Sequence, residues 1–198
     1  MPRPPLGRQQ LLDAARAELV AGGGRADLAS LVRRAGVTTG ALYHHFGSRT
    51  GLLAAIFCEF YDGLDEAISD ARLPGEATWA DRERRRTRHL VVYCQANPLS
   101  PLLLDRGGRE PALAELEAAY LDRLIDMSAR NIRQGQQLGE VDSSLVPETA
   151  AAFVIGGVWR SIVRQLRRTP PPGVDEATEE LWHLVAATFG RNPDLAFS

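Results

Sequence analysis

Apolar residues recur at three- and four-residue intervals along almost the whole chain, and stretches alternating in period two are nearly absent. That spacing puts a stripe of each segment on one face of a helix with 3.6 residues per turn, so the pattern predicts an all-α fold. Leu11, Ala15 and Leu19 mark a first helix from about Leu6 to Val20, which Gly22-Gly23-Gly24 stops. Asp27 is placed to N-cap a second helix running to about Ala35, with Leu28, Leu31 and Val32 inward. Thr38 caps a third that ends near His45. Ser48 caps a fourth, longer one reaching about Arg72. Its inner stripe is Leu52, Ile56, Phe60, Leu64 and Ile68, widened by Leu53 and Phe57, and Leu73-Pro74-Gly75 breaks it.

Five further helices follow. Thr78 opens the fifth, which Asn97-Pro98 closes. A short apolar piece, Leu99 to Leu104, precedes a Gly107-Gly108 loop. A long helix then runs from about Pro111 to Leu138, its apolar face marked by Leu113, Leu116, Tyr120, Leu124 and Met127, with Gly139 at its C-terminal cap. Pro147 starts another, reaching Arg168 through Ala150, Phe153, Val154, Val158, Ile162 and Leu166. Thr169-Pro170-Pro171-Pro172-Gly173 is a stiff linker, and Asp175 is the expected cap of a last helix, Glu176 to Phe189. The count is nine helices, with no internal repeat.

The run Gly36-Val37-Thr38-Thr39-Gly40-Ala41-Leu42-Tyr43-His44-His45-Phe46-Gly47-Ser48-Arg49 carries the most specific chemistry. It reads as a tight turn, a short helix, a second turn and the start of a long helix. That is the second half of a helix-turn-helix, whose recognition helix lies in the DNA major groove. Such a helix needs small or polar outward residues so that its backbone approaches the groove. Thr38, Thr39, Gly40 and Ala41 supply them, while Val37, Leu42 and Phe46 point inward and Tyr43 and His44 are the large outward groups. Threonines are suited to thymine methyls or phosphates, and His44 to a purine acceptor or a phosphate. No arginine lies on the recognition helix, so a bidentate guanine contact from it is not expected. Arg33 and Arg34 end the second helix, as backbone contacts or as a solvated helix end.

The same residues resemble the tetracycline-repressor-like (TetR/AcrR) family of bacterial transcription regulators. The family pattern is alanine-glycine-valine, a serine or threonine, two variable positions, a small residue, an aliphatic, tyrosine, a variable residue, histidine or tyrosine, and phenylalanine. Ala35 through Phe46 follow it. A basic residue after the motif is usually lysine; Arg49 keeps the charge and changes the geometry. The position of Ala41 often carries a hydroxyl in the family, so one phosphate contact is missing here. The resemblance implies that Thr38, Tyr43 and Arg49 contact phosphates and that Thr39, Gly40 and His44 face the groove. Beyond residues 8–58 the likeness is architectural. It implies a helix-turn-helix domain at 1–50 and a helical effector-binding and dimerisation domain at 51–198. The last two long helices would pair with their copies in a homodimer, placing two heads on a palindromic double-stranded DNA operator. A small-molecule effector would enter the C-terminal domain and release the operator, making the protein a repressor. Tyr93, Tyr120, Met127, Phe153 and Trp159 are the candidate effector-pocket residues, each also readable as plain core. Because charged inward positions are not evident, the effector is expected to be apolar or aromatic. Arg160 and Arg164 leave room for an acidic one.

Charge supports a reading head at the N-terminus. The chain has 23 basic residues, all arginine, against 25 acids, for a net charge of -2. Residues 1–58 hold seven arginines against three acids, so the head is basic and the remainder acidic. Arg82-Glu83-Arg84-Arg85-Arg86-Thr87-Arg88 reads as a solvated face with local acid partners. Cys58 and Cys94 sit in apolar helical patterns and are expected to be buried, inert thiols in a reducing compartment. No run is apolar for long enough to span a membrane and the first residues lack a signal-peptide pattern, so a cytoplasmic location is expected. No catalytic constellation, metal-ligand spacing or cofactor loop stands out, which points away from an enzyme. Two other readings remain open: a helical binding module or enzyme that merely contains a helix-turn-helix, and an architectural DNA binder without an effector.

Overall fold

Local signals set most of the helix boundaries in the computed structural model, which describes residues 6–69, 78–105 and 111–190. The expected end of the fourth helix, the Leu73-Pro74-Gly75 break and the Gly107-Gly108 loop lie outside the described residues. The helices are α1 (Leu6–Ala21), α2 (Leu28–Ala35), α3 (Thr39–Phe46), α4 (Arg49–Ser69), α5 (Trp79–Ala96), α6 (Ser100–Leu103), α7 (Pro111–Gln137), α8 (Pro147–Leu166) and α9 (Val174–Thr188). No strand occurs among the described residues.

The caps explain the starts. The Asp27 carboxylate accepts from the Ser30 amide at 2.8 Å. Thr78 and Asp81 form a reciprocal capping box at the head of α5. One cap differs from expectation: α9 is capped by Gly173 and begins at Val174, so Asp175 falls inside its first turn. There its charge faces the positive helix end rather than closing it.

Helices α2 and α3 each pack on α1, and α1 and α3 pack on α4, which also contacts α5 and α7. Helices α7, α8 and α9 then close the body, with α5 against α9. The main core is continuous across the head. Leu11, Leu31 and Leu42 from α1 to α3 join Leu52, Ile56, Phe60 and Leu64 of α4. Tyr120, Trp159, Ile162 and Leu181 of the body belong to the same cluster. A second cluster at the far end gathers Trp79, Ile132, Ala151, Trp182, Val185 and Phe189.

Two faces differ from the sequence reading. On α7, Leu116 and Met127 are exposed, and the inward stripe instead runs through Glu117, Tyr120, Leu124 and Ile132. On α8, Phe153 is exposed while Ala151, Ile155, Trp159 and Val163 turn inward. Of the two thiols only Cys94 is buried; Cys58 lies on the outer side of α4. Burial pushes the Cys94 thiol up to about 12.

Candidate DNA interface and regulatory cavity

The reading head is assembled by short-range chemistry. Gly36 ends α2 in a left-handed conformation, φ 65°, that an L side chain rarely adopts. Its N–H donates to the Arg33 carbonyl at 3.2 Å, turning the chain sharply into α3. Thr38 Oγ1 accepts from the Ala41 amide at 3.3 Å, which caps α3 and leaves its O–H proton available as a donor to phosphate. Leu42 is fully buried and locks α3 against α1 and α4. Phe46 is half-buried beneath the Arg8 guanidinium, 5.4 Å from the ring centroid. His45 lies edge-on to Phe46 and close to α1, where a Cβ on Gly7 would meet its Nε2 at 3.3 Å. His45 is therefore part of the packing.

The outward face is as bare as groove contact requires. Thr38, Thr39, Gly40 and His44 are exposed, and the Tyr43 ring is 51% exposed. A Cβ at Gly40 would meet nothing closer than Thr38 Oγ1 at 3.7 Å, so nothing inside the chain demands glycine there. Arg49 stands apart from these five. It is half-buried at the first turn of α4 and donates to the Ala26 carbonyl at 3.3 Å. That bond ties the start of α4 to the entrance of α2 and fixes where the guanidinium sits. Arg34 is paired with Glu18 at 2.8 Å, while Arg33 remains exposed beside Ser30.

One further residue matters here and no motif signalled it. A Cβ on Gly51 would lie 2.1 Å from the Phe46 carbonyl oxygen. The end of α3 and the first turn of α4 therefore touch backbone to backbone. Ser48 Oγ also accepts from the Gly51 amide at 2.9 Å, so a short, tightly packed turn joins α3 to α4.

Within the C-terminal half, a cavity of about 140 Å³ lies among α4, α5, α7, α8 and α9. Its walls are mostly apolar, with Trp79, Leu124, Ile155, Trp159 and Phe189 prominent. Against expectation it also holds charge: Glu83 and Arg86 line it together with Asn131. Glu83 accepts from Asn131 Nδ2 at 2.8 Å and from Arg86. Burial pushes the Glu83 carboxyl up from its ordinary value, and the adjacent Arg86 opposes that only in part. The arginine-rich run of α5 hid this group. Trp79, Glu83, Thr87 and Leu90 recur at helical spacing, which is the signal that could have found Glu83. Two further arginines of the run pair with distant acids on α9, Arg84 with Glu179 at 2.5 Å and Arg88 with Asp175 at 3.1 Å.

Of the five candidate pocket residues, Trp159 lines this cavity. Tyr120 and Tyr93 lie in the adjoining aromatic cluster. Tyr120 stacks near Trp159 at 6.2 Å and against Tyr61 of α4 at 4.1 Å, and its hydroxyl donates to Asp65 Oδ1 at 2.6 Å. The Tyr93 hydroxyl donates to the Phe60 carbonyl at 2.6 Å, in space that Gly63 leaves open. Met127 and Phe153 face outward, 45% and 70% exposed, because their helices turn other residues to the core. Phe153 instead borders an apolar groove of about 390 Å³ between α8 and α9, with Gly157, Val158, Leu181 and Leu184. Leu184 is 61% exposed, and a Cβ on Gly156 or Gly157 would meet nothing within 4 Å. The two glycines therefore make no close helix-to-helix packing contact among the described residues of their own chain.

No described helix is long and apolar enough to cross a membrane. Residues 11–56 match the model of the bacterial regulatory proteins of the tetR family. The chain is 28% identical over 175 residues to the nucleoid occlusion factor SlmA of Marinobacter nauticus, covering 83% of this chain and 85% of that one. In fold it is similar to the fatty acid degradation regulator FadR of Bacillus halodurans, with a TM-score of 0.77 at 16% identity, over 93% of this chain and 96% of that one. It is also similar to SmeT, the repressor of the Stenotrophomonas maltophilia multidrug efflux pump SmeDEF. That comparison gives a TM-score of 0.74 at 21% identity, over 92% and 89% of the two chains.

Proposed function

We propose that this tetR-family regulator works as a homodimeric repressor that leaves a palindromic operator when a small molecule enters its C-terminal half. The family's regulators bind DNA and carry out no catalysis. The observation that carries the reading is the bare, capped face of α3 joined backbone to backbone to α4. In the complex, Thr38, Tyr43 and Arg49 hold phosphates, while Thr39, Gly40 and His44 face the groove. Residues 1–50 act as the reading head and 51–198 as the regulatory body. The second copy covers the face of Phe153, Gly156, Gly157 and Leu184. An aromatic side chain left this exposed beside helical glycines is the surface that a four-helix interface consumes.

Signal transfer follows from one chain of contacts. Trp159 lines the cavity and lies 5.7 Å from Tyr61 of α4. A ligand that repositions Trp159 biases α4, and α3 travels with it. The ligand shifts the equilibrium only by its differential affinity for the two states. The Glu83–Arg86–Asn131 group refines the effector class to an apolar or aromatic body with one polar substituent.

Selection of operator sequences from random duplexes, followed by gel shift, tests the reading. A palindromic site bound by the dimer is the expected outcome. Retained binding by the double variant Tyr43→Ala, Arg49→Ala would sink the residue assignment. The resemblance to a nucleoid occlusion factor keeps an effector-free DNA binder as the alternative, and the lined cavity weighs against it.

A further inference from the structure

A second and larger hollow lies between the reading head and the body. It has a volume of about 640 Å³, in the range of drug-sized ligand sites. It opens between the turn after α1, the first turns of α4, and α6. Its floor is apolar, formed chiefly by Leu53, Ile56, Phe57, Leu99 and Leu102. Its charged members are Arg25, Arg49, Arg167 and Asp105. Arg25 and Arg167 are exposed, and Arg49 is half-buried with one guanidinium N–H on the Ala26 carbonyl. Asp105 is already shared between Arg160 at 3.0 Å and Arg167 at 2.5 Å. Those two partners hold its carboxyl below the usual range, so it stays ionised and bound. Among the described lining residues, three guanidiniums and one engaged carboxylate border the apolar floor.

The geometry points to a binding site for an amphipathic monoanion, a carboxylate on an apolar tail, distinct from the cavity at Trp159. The carboxylate sits among Arg25, Arg49 and Arg167, where charge-assisted hydrogen bonds and fork geometry favour it. The tail covers Leu53, Phe57 and Leu102. This site is coupled to DNA through a shared group. Arg49 cannot serve the ligand carboxylate and an operator phosphate with the same donors, and the ligand wedges against the first turns of α4. Binding of the anion and of DNA therefore oppose each other, reciprocally.

Titration calorimetry of the full-length protein with decanoate, in the absence of DNA, tests the site independently of any operator. Saturable binding is expected, at least tenfold weaker for decanol, which keeps the tail and loses the charge. Arg25→Glu, a surface change outside the DNA contacts, should weaken decanoate at least tenfold. Leu102→Trp, which fills the hollow, should abolish binding while the circular dichroism melt stays cooperative. Ala151→Phe, which fills the cavity at Trp159, should leave decanoate affinity unchanged. Absence of binding, equal affinity for decanol, or loss through Ala151→Phe with Arg25→Glu silent would each overturn the assignment.

Discussion

Replacing Gly51 by alanine separates two physical effects of opposite sign. Gly51 lies in the first turn of a 21-residue helix, where alanine is the better helix former by about 1 kcal/mol. Propensity alone therefore predicts a stabilised protein. The geometry predicts the reverse. The new Cβ would stand 2.1 Å from the Phe46 carbonyl oxygen and 3.2 Å from its carbon. Carbon and oxygen in ordinary contact need more than about 3 Å, so α3 and α4 must separate by about 1 Å. Neither neighbour is a flexible side-chain tip; both atoms are backbone. Overpacking of that kind costs about 1–3 kcal/mol, which exceeds the gain in propensity. The melting temperature should fall by roughly 2–4 °C per kcal/mol for a chain of this size. Because the displaced element is the recognition helix, operator affinity should drop about tenfold or more, each factor of ten being about 1.4 kcal/mol. Scanning calorimetry and fluorescence anisotropy with labelled operator read the two quantities. Gly40→Ala is the matched control: its Cβ meets only Thr38 Oγ1 at 3.7 Å. It should melt no lower than the parent while losing operator affinity, since its added methyl faces the groove. A Gly51→Ala protein that melts higher and binds operator normally would refute the reasoning.

Three other outcomes are expected. Phe153→Arg with Leu184→Glu should convert the dimer to a monomer in sedimentation velocity with little change in helical signal. A persistent dimer would move the interface elsewhere. Trp159→Ala should open the packing against Tyr61 and Tyr120 and cost about 3–5 kcal/mol of stability, while Trp159→Phe keeps the fold and blunts effector response in anisotropy titrations. The Glu83 carboxyl is raised above its ordinary 4.5, so the native state holds a proton that the unfolded chain has released. Its contribution is thus present at low pH and is lost as pH rises from about 4.5 through the folded value. Melting curves of Glu83→Gln against the parent should show an advantage for glutamine that widens across that interval. A gap that stays constant would show that Glu83 is not desolvated.

The head was the more legible half, because its determinants are local. Asp27, Thr38 and Ser48 each accept from the amide three residues on, and Gly36 makes a turn within four residues, so sequence neighbours suffice to predict them. The body is set by partners far along the chain. The apolar face of α7 shifted because α4 and α8, not α7 itself, decide which stripe is covered. Tyr120 remained inside, while Leu116 and Met127 did not. Phe153 shows a different limit. Its hydrophobicity is that of a core residue, and only its 70% exposure tells the two apart. Glu83 was visible in the helical period but was overshadowed by the arginines around it. Gly51 carried no signal at all, since the contact that forbids a side chain exists only once α3 and α4 meet.

The core that runs from Leu11 to Leu181 has a consequence for how such regulators are recombined. A head excised before α4 would leave Leu52, Ile56 and Phe60 to water on one fragment and Leu11, Leu31 and Leu42 on the other. The unit of transplantation is therefore not the fifty residues proposed as the reading head but those residues with α4 attached, and a graft of new operator specificity keeps its footing only if the seam falls beyond Ser69.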